Sequence, residues 1–187
     1  SHTCTYGAFG AFSTGIGAVE AVGVMGLGYT WIEVPHSIKI VVSGKLPPSV
    51  MGKDVGMATM AQFGLGATNE KAIEWCGPTI QGMDLDSRLA LTNMGIEMVA
   101  VNSIMEPDDK VIQYVKQRTS QQFQPLFSDS DAEYEHVYEL DVTHLEPQIS
   151  LPHSHRNVRP VSQVAGENIN IDQAFIGTCN SSRIVDM

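Results

Sequence analysis

Three sets of residues in this 187-residue chain carry groups able to do chemistry. The first is Ser1-His2-Thr3, which opens a glycine-rich stretch. A hydroxyl beside an imidazole can bind a carboxylate and pass protons; the same tripeptide is also compatible with a solvated chain end. The second is Asn93 and Glu97, four residues apart where the spacing predicts a helix, and so on one helix face. Leu89, Leu91, Met94, Ile96, Met98 and Val99 surround them with apolar side chains, and a helix apolar all round is normally buried. A carboxylate carried into such a place needs a partner or its proton affinity rises, which makes Glu97 a site candidate. At a helix edge it would simply reach water. The third set is Ile176-Gly177-Thr178-Cys179-Asn180-Ser181-Ser182-Arg183. It reads as a strand running through a cysteine-bearing turn into a helix. A thiolate at a helix N-terminus is stabilised by the dipole and can hold a metal; a lone structural cysteine fits the same pattern.

Two other patterns lead elsewhere. Asp129, Asp131 and Glu133 alternate as in a calcium loop, but the glycine at the sixth position and the glutamate at the twelfth are missing. A solvated acidic loop is expected there. His153 and His155 resemble a metal pair, yet the surrounding prolines point to an exposed loop.

The elements that must position these groups alternate between helical and extended patterns. Residues 1–16 read as a glycine-rich loop, and 17–27 as a helix packing closely through its small residues. Residues 37–43 are rich in β-branched side chains, a strand signal. Residues 52–63 have helical spacing, with Val55, Met60 and Phe63 as candidate core. Residues 72–76 read as a short strand ended by Gly77-Pro78. The spacing predicts helices over 84–100 and 108–118, with Asp84, Asp86 and Asp108 or Asp109 at their dipole-favoured starts. Residues 137–142 alternate as a strand, 144–160 read as an extended crossover, and 171–179 as a strand. Mixed elements of this kind predict an α/β fold. The expected division is 1–35 as the end of one domain, 36–150 as a middle α/β domain, and 151–187 as a crossover and the start of a third.

Composition narrows the function classes. Apolar residues make up 43% and charged residues 17%, as in a globular chain. A net charge of -10 repels phosphate backbones, so nucleic-acid binding is not expected. The three cysteines, Cys4, Cys76 and Cys179, are far apart and include no C-x-x-C. A disulfide scaffold or a self-contained metal cluster is therefore not expected, and a reducing, cytoplasmic setting is. Gly7 to Gly28 is apolar but holds seven glycines, so a buried loop and helix are expected rather than a membrane span. The chain opens inside a motif and closes where a helix should begin, so an internal piece of a longer protein is expected.

Together the three sets resemble the aconitase superfamily, in its 3-isopropylmalate dehydratase and homoaconitase branch. Ser1-His2-Thr3-Cys4-Thr5-Tyr6-Gly7-Ala8-Phe9-Gly10-Ala11-Phe12 is similar to the loop that family carries after an Asp. Leu91-Thr92-Asn93-Met94-Gly95-Ile96-Glu97-Met98 followed by Glu106-Pro107-Asp108 resembles its second signature. Ile171-Asp172-Gln173-Ala174-Phe175-Ile176-Gly177-Thr178-Cys179 resembles the segment leading to its first cluster cysteine. The resemblance spans the whole chain in the family's order, and the early T-x-G-A-F-G-A pattern favours the named branch over aconitase proper.

The resemblance implies three-layer aconitase-like domains and a hydro-lyase that isomerises a small hydroxy-polycarboxylate by dehydration and rehydration. It implies a 4Fe–4S cluster with Cys179 as one ligand. It implies His2 and Glu97 as a catalytic pair, Ser1 as a substrate-binding residue and Asn93 beside the cluster. A small swivel-domain subunit or domain is the implied partner. Asn180-Ser181 stands where the family usually has Thr-Asn. The C-x-x-C that supplies the other cluster ligands is not in this chain, so the chain alone is expected to hold no cluster and to be inactive. A rival expectation is a cluster-free regulatory or binding module that keeps the fold.

Overall fold

The computed structural model describes residues 2–180 and Arg183. A 3-10 helix (His2–Phe9) and α1 (Ala18–Leu27) precede the sheet. Four strands, β1 (Ser37–Ser43), β2 (Ala72–Cys76), β3 (Asn102–Met105) and β4 (His136–Asp141), pair in parallel in the order β3-β2-β1-β4. Parallel neighbours require crossovers. Helix α2 (Gly52–Phe63) links β1 to β2. Helices α3 (Pro78–Gly82) and α4 (Leu85–Asn93) link β2 to β3. Helix α5 (Asp109–Lys116) and a long loop return the chain to β4, on the far side of β1. A two-stranded antiparallel hairpin, β5 (Gln148–Ser150) and β6 (Val158–Pro160), follows. This is the α/β class expected from the pattern.

The alternation in β1 explains its two faces. Ile38, Ile40 and Val42 are buried and meet Val55, Met60, Leu91 and Met98 in the core. Lys39, pointing the other way, lies 3.1 Å from Glu74 Oε1 and 4.3 Å from the centre of the Tyr134 ring. The hydroxyls of Ser128 and Tyr134 donate to Glu74 Oε2 at 2.6 and 2.8 Å. Burial works against the Lys39 ammonium, but Tyr134 and Glu74 outweigh it and hold its pKa above the usual lysine range. The loop before β4 thus covers the polar face of the sheet with partnered charges.

Several elements differ from the sequence expectation, each for a tertiary reason. His2–Phe9 is a 3-10 helix rather than loop, because Gly7 lets it lie on β3: a Cβ at Gly7 would sit 1.7 Å from the Ser103 carbonyl oxygen. Helix α1 forms as expected, but none of its residues is buried, so it does not pack through its small side chains. The helix expected over 84–100 stops at Asn93. Turns carry the chain to Val99, whose φ is 59°, and Gly95 presses against Ser103, where a Cβ would meet the serine Cβ at 2.6 Å. The expected crossover over 144–160 contains the β5–β6 hairpin. Residues 171–179 form no strand; Ile171, Phe175 and Ile176 are exposed, and no described strand pairs with them. The helix expected after Cys179 lies outside the described residues, apart from Arg183.

Strand β3 carried no hydrophobic signal because Asn102 and Ser103 are polar yet buried. Their partners explain it: Asn102 Oδ1 accepts from the Ser13 amide at 3.2 Å, and Trp75 Nε1 donates to Ser103 Oγ at 2.8 Å. Buried polar groups persist when bonded in this way. No helix among the described residues is long and apolar enough to cross a membrane.

Two stability results follow. Gly7→Ala is expected to cost about 2–3 kcal/mol, because overpacking against backbone has no flexible neighbour to yield. Gly23→Ala, with nothing within 4 Å of the added methyl, should be neutral or slightly stabilising; urea unfolding compares the two. The second concerns Asp108, which caps α5 by accepting from the Val111 amide at 3.1 Å. It also accepts from Arg88 Nη2 at 2.5 Å, and the Arg88 side chain is only 2% exposed. Partial burial of Asp108 works against its carboxylate, but Arg88 and the Val111 amide outweigh this and hold its pKa below the ordinary 3.8. The stability it adds is therefore fully present above that ordinary value and disappears as pH falls through the lower folded value. Asp108→Asn should cost about 2 kcal/mol at pH 7, less than for a fully buried pair because Asp108 is partly solvated. The gap between variant and parent should narrow in unfolding curves taken at successively lower pH below that ordinary value.

Candidate functional site

His2 and Glu97 come together from sequence positions far apart. His2 starts the 3-10 helix, and Glu97 lies in the turns after α4. Their separation is 3.2 Å between Nε2 and Oε1, and both side chains are about one-quarter to one-third exposed, at 32% and 26%. The other oxygen, Glu97 Oε2, is buried and makes no hydrogen bond among the described residues. Because α4 ends at Asn93, Glu97 does not share a helix face with Asn93, as helical spacing would have it. The turn instead directs Glu97 to the histidine.

Asn93 is 1% exposed and ties the site together. Its Nδ2 donates to Thr5 Oγ1 at 2.7 Å, and Thr5 Oγ1 in turn donates to the His2 carbonyl at 2.7 Å. Its Oδ1 lies 3.9 Å from Cys179 Sγ. Its carbonyl accepts from Cys4 Sγ at 3.5 Å. Thr92 Oγ1 reinforces the same seam by donating to the Thr5 carbonyl at 3.0 Å. Burial pushes the Cys4 thiol up, and the charge of Glu97 adds to this, against an opposing hydrogen bond from the Ile96 backbone.

Cys179 is exposed, in a turn. Asn180 beside it is buried; it accepts from Thr178 Oγ1 at 2.7 Å, and its Nδ2 lies 3.3 Å from Met94 Sδ. The departure at Asn180 therefore anchors the Cys179 turn to the end of α4. Ser1 lies outside the described residues.

His2, Glu97, Cys179 and Asn180 line one cleft of about 660 Å³. Lys53 from α2, Gln148 to Ser150 from β5, and His155 from the hairpin turn complete much of its wall. Its size falls within the usual range for a small-molecule site, about 300–1,000 Å³. Thr5, Lys53, Asn180 and His155 had not been singled out as site residues from sequence. Of these, His155 stands in the His153–His155 pair whose prolines point to an exposed loop, Asn180 follows the cysteine in the third set, and Thr5 carries a hydroxyl three residues after the histidine.

A 4Fe–4S cluster needs several soft thiolates. Cys179, exposed at the cleft, suits one corner of such a cluster. Cys4 is buried, and that burial pushes its thiol up. Cys76 ends β2, and burial pushes its thiol up as well. Among the described residues no three His, Cys, Asp or Glu side chains form a metal-holding group. The donor set therefore fits one ligand of a cluster and leaves the others to be supplied from elsewhere.

Comparison with known proteins gives a consistent result. The family described as "Aconitase family (aconitate hydratase)" matches residues 1–187. The chain is 42% identical over 187 residues to a protein named 3-isopropylmalate dehydratase large subunit from Halothermothrix orenii, covering all of this chain and 44% of the relative. It is 44% identical over its full length to the protein of the same name from Aquifex aeolicus, covering 43% of it. It is 41% identical to a protein named "Probable methanogen homoaconitase large subunit" from Methanothermobacter thermautotrophicus, again over the whole chain and 43% of the relative. The chain spans less than half the length of these curated relatives.

Proposed function

The chain belongs to the aconitase family, and from that premise we propose that it is part of an iron–sulfur hydro-lyase acting on a hydroxy-polycarboxylate of the 3-isopropylmalate or homocitrate type. The observation that carries this reading is the His2–Glu97 pair at 3.2 Å in the same cleft as the exposed Cys179 thiol. Family membership implies a 4Fe–4S cluster, which when bound supplies the Lewis acidity that a poor hydroxide leaving group requires.

The chain's own residues do the rest. Cys179 is the one ligand offered here, its turn pinned through Asn180 to Met94. Asn93 holds Thr5, and through it the His2 backbone, in register with that turn. The His2–Glu97 pair carries a proton between Nε2 and Oε1, next to the group that departs or returns. Among the described residues Glu97 Oε2 has no hydrogen-bond donor. Ser1 is the proposed substrate-binding hydroxyl. The division into 1–35, 36–150 and 151–187 belongs to the same reading, and all four strands of the parallel sheet fall within 36–150. The relatives are named large subunits, so a small subunit is the proposed partner, and a cytoplasmic setting fits a biosynthetic enzyme.

The test uses the full-length protein, purified anaerobically with its small subunit. About four irons per chain, a matching sulfide content and isomerisation of an isopropylmalate or homocitrate are expected. No iron after reconstitution, and no turnover, would replace this reading with a cluster-free module that keeps the fold. Residues 1–187 alone should show no turnover, since one thiolate cannot hold four irons; turnover by that piece would refute the proposed dependence.

A further inference from the structure

Three hydrogen bonds stitch the His2–Phe9 helix to the end of α4. Cys4 Sγ donates to the Asn93 carbonyl at 3.5 Å, Thr92 Oγ1 to the Thr5 carbonyl at 3.0 Å, and Asn93 Nδ2 to Thr5 Oγ1 at 2.7 Å. Asn93 and Thr92 are 1% and 0% exposed, so the α4 side of this seam is buried. Of the three, the bond to Thr5 Oγ1 is passed on, because that hydroxyl donates to the His2 carbonyl at 2.7 Å.

The direction of this chain of bonds is forced. A hydroxyl has one proton to give, and a carbonyl can only accept. The Thr5 proton therefore points at His2, and the Thr5 oxygen receives its own bond from Asn93. That makes Nδ2 the Asn93 atom facing Thr5 and leaves Oδ1 toward Cys179. The His2 backbone is thus tied, through one hydroxyl, to a buried amide on α4. Glu97 is tied to the same base. It follows Asn93 by four residues, in turns where the Gly95 amide bonds the Thr92 carbonyl at 3.0 Å and the Met98 amide the Met94 carbonyl at 3.1 Å.

His2 and Glu97 therefore take their places from one base, the last turn of α4, and Thr5 is the link on the His2 side. Displacing a reacting group by 1 Å can cost about 100-fold in rate, so such a link matters to a pair that passes a proton. We propose that the Thr5 hydroxyl is a positioning group that holds the His2 imidazole within hydrogen-bond distance of Glu97. It acts through His2 and not on the substrate, since Thr5 is not among the residues lining the cleft. Its effect on rate rests on the hydro-lyase reading above; the placement of His2 does not.

The experiment compares three variants of the full-length protein with its small subunit. Thr5→Val replaces the hydroxyl by a methyl, Thr5→Ala removes it without adding bulk, and Thr5→Ser keeps it. For the isopropylmalate or homocitrate that the parent isomerises, kcat should fall about tenfold in the first two, the worth of one hydrogen bond. Thr5→Ser should stay within about twofold of the parent, and KM and iron content should be unaltered in all three. Added to Glu97→Gln, Thr5→Val should cost less than about twofold more, since the pair it positions is already broken. Crystal structures should show His2 Nε2 out of reach of Glu97 Oε1 in Thr5→Val and within reach in Thr5→Ser. Should Thr5→Val not fold, Thr5→Ala carries the same test. A tenfold loss that persists beside Glu97→Gln, that Thr5→Ser shares, or that follows iron content would make Thr5 a packing or cluster support and overturn the proposal. If the parent has no iron and no turnover but the pair parts without the hydroxyl, the hydro-lyase reading fails and the positioning role stands. If the parent turns over and the variants keep kcat, the reading stands and the role falls. A parent without turnover whose pair stays together in Thr5→Val and Thr5→Ala overturns both.

Discussion

Cys179→Ala in the full-length protein is expected to abolish the cluster signal and reduce isomerase activity to background. The reason is the donor inventory. Of the three cysteines, Cys179 alone is exposed at the cleft, whereas Cys4 is buried and Cys76 is half-buried at the end of β2. Loss of one of the thiolates leaves an iron without its ligand, and cluster stability depends on a complete set. The substitution removes only an exposed side chain whose polar approach among the described residues is the long 3.9 Å one to Asn93 Oδ1, so circular dichroism and unfolding midpoint should hardly move. Cys4→Ala and Cys76→Ala are the controls and should keep their iron. A Cys179→Ala protein with parental iron content, or a Cys4→Ala protein that loses its cluster equally, would show that the ligand has been misassigned.

Glu97→Gln should lower kcat by about 100- to 10,000-fold, the usual contribution of a positioned acid–base group. The substitution keeps the shape and can keep a contact to His2, but it removes the carboxylate that partners the imidazole at 3.2 Å. KM should change little, since the pair is proposed to move a proton rather than to hold the substrate. Iron content should be unaltered, because Glu97 is not proposed as a ligand. His2→Gln should show a loss of the same order, and the double variant little more than either single, as for residues acting as one unit. A kcat within threefold of the parent would remove Glu97 from the proton path. These losses separate the proposed chemistry from packing, since the packing variants Gly7→Ala and Asp108→Asn act first on unfolding curves.

Much of the regular structure was legible. The β-branched run at 37–43 is a strand because alternation puts Ile38, Ile40 and Val42 on one buried face. The helix at 52–63 has the expected bounds, with Val55 and Met60 buried and Phe63 against the core's edge. Asp84 and Asp108 cap α4 and α5 through the amides of Ser87 and Val111, as local side-chain chemistry predicts. The failures fall where long-range contacts override local preference. Asn102 and Ser103 look like loop residues until Ser13 and Trp75 satisfy them. Residues 171–179 have strand composition, but a strand exists only if another pairs with it.

The site divides in the same way. Its residue types were visible: an imidazole, a carboxylate in an apolar setting, an amide and a cysteine in a turn. The sequence by itself determined these groups, the α/β class and the acidic balance that disfavours phosphate backbones, because propensity, alternation and charge are local properties of the chain. Only the tertiary structure decided that α4 stops at Asn93, that His2 reaches Glu97 across 95 positions, that Asn93 bridges Thr5 and Cys179, and that Lys53 and His155 share their cleft. Each of those depends on backbone surfaces meeting at one place, the clearest being the bare Gly7 backbone against Ser103. No local pattern encodes such a meeting, since its free energy comes from burial and hydrogen bonds between segments distant in the chain.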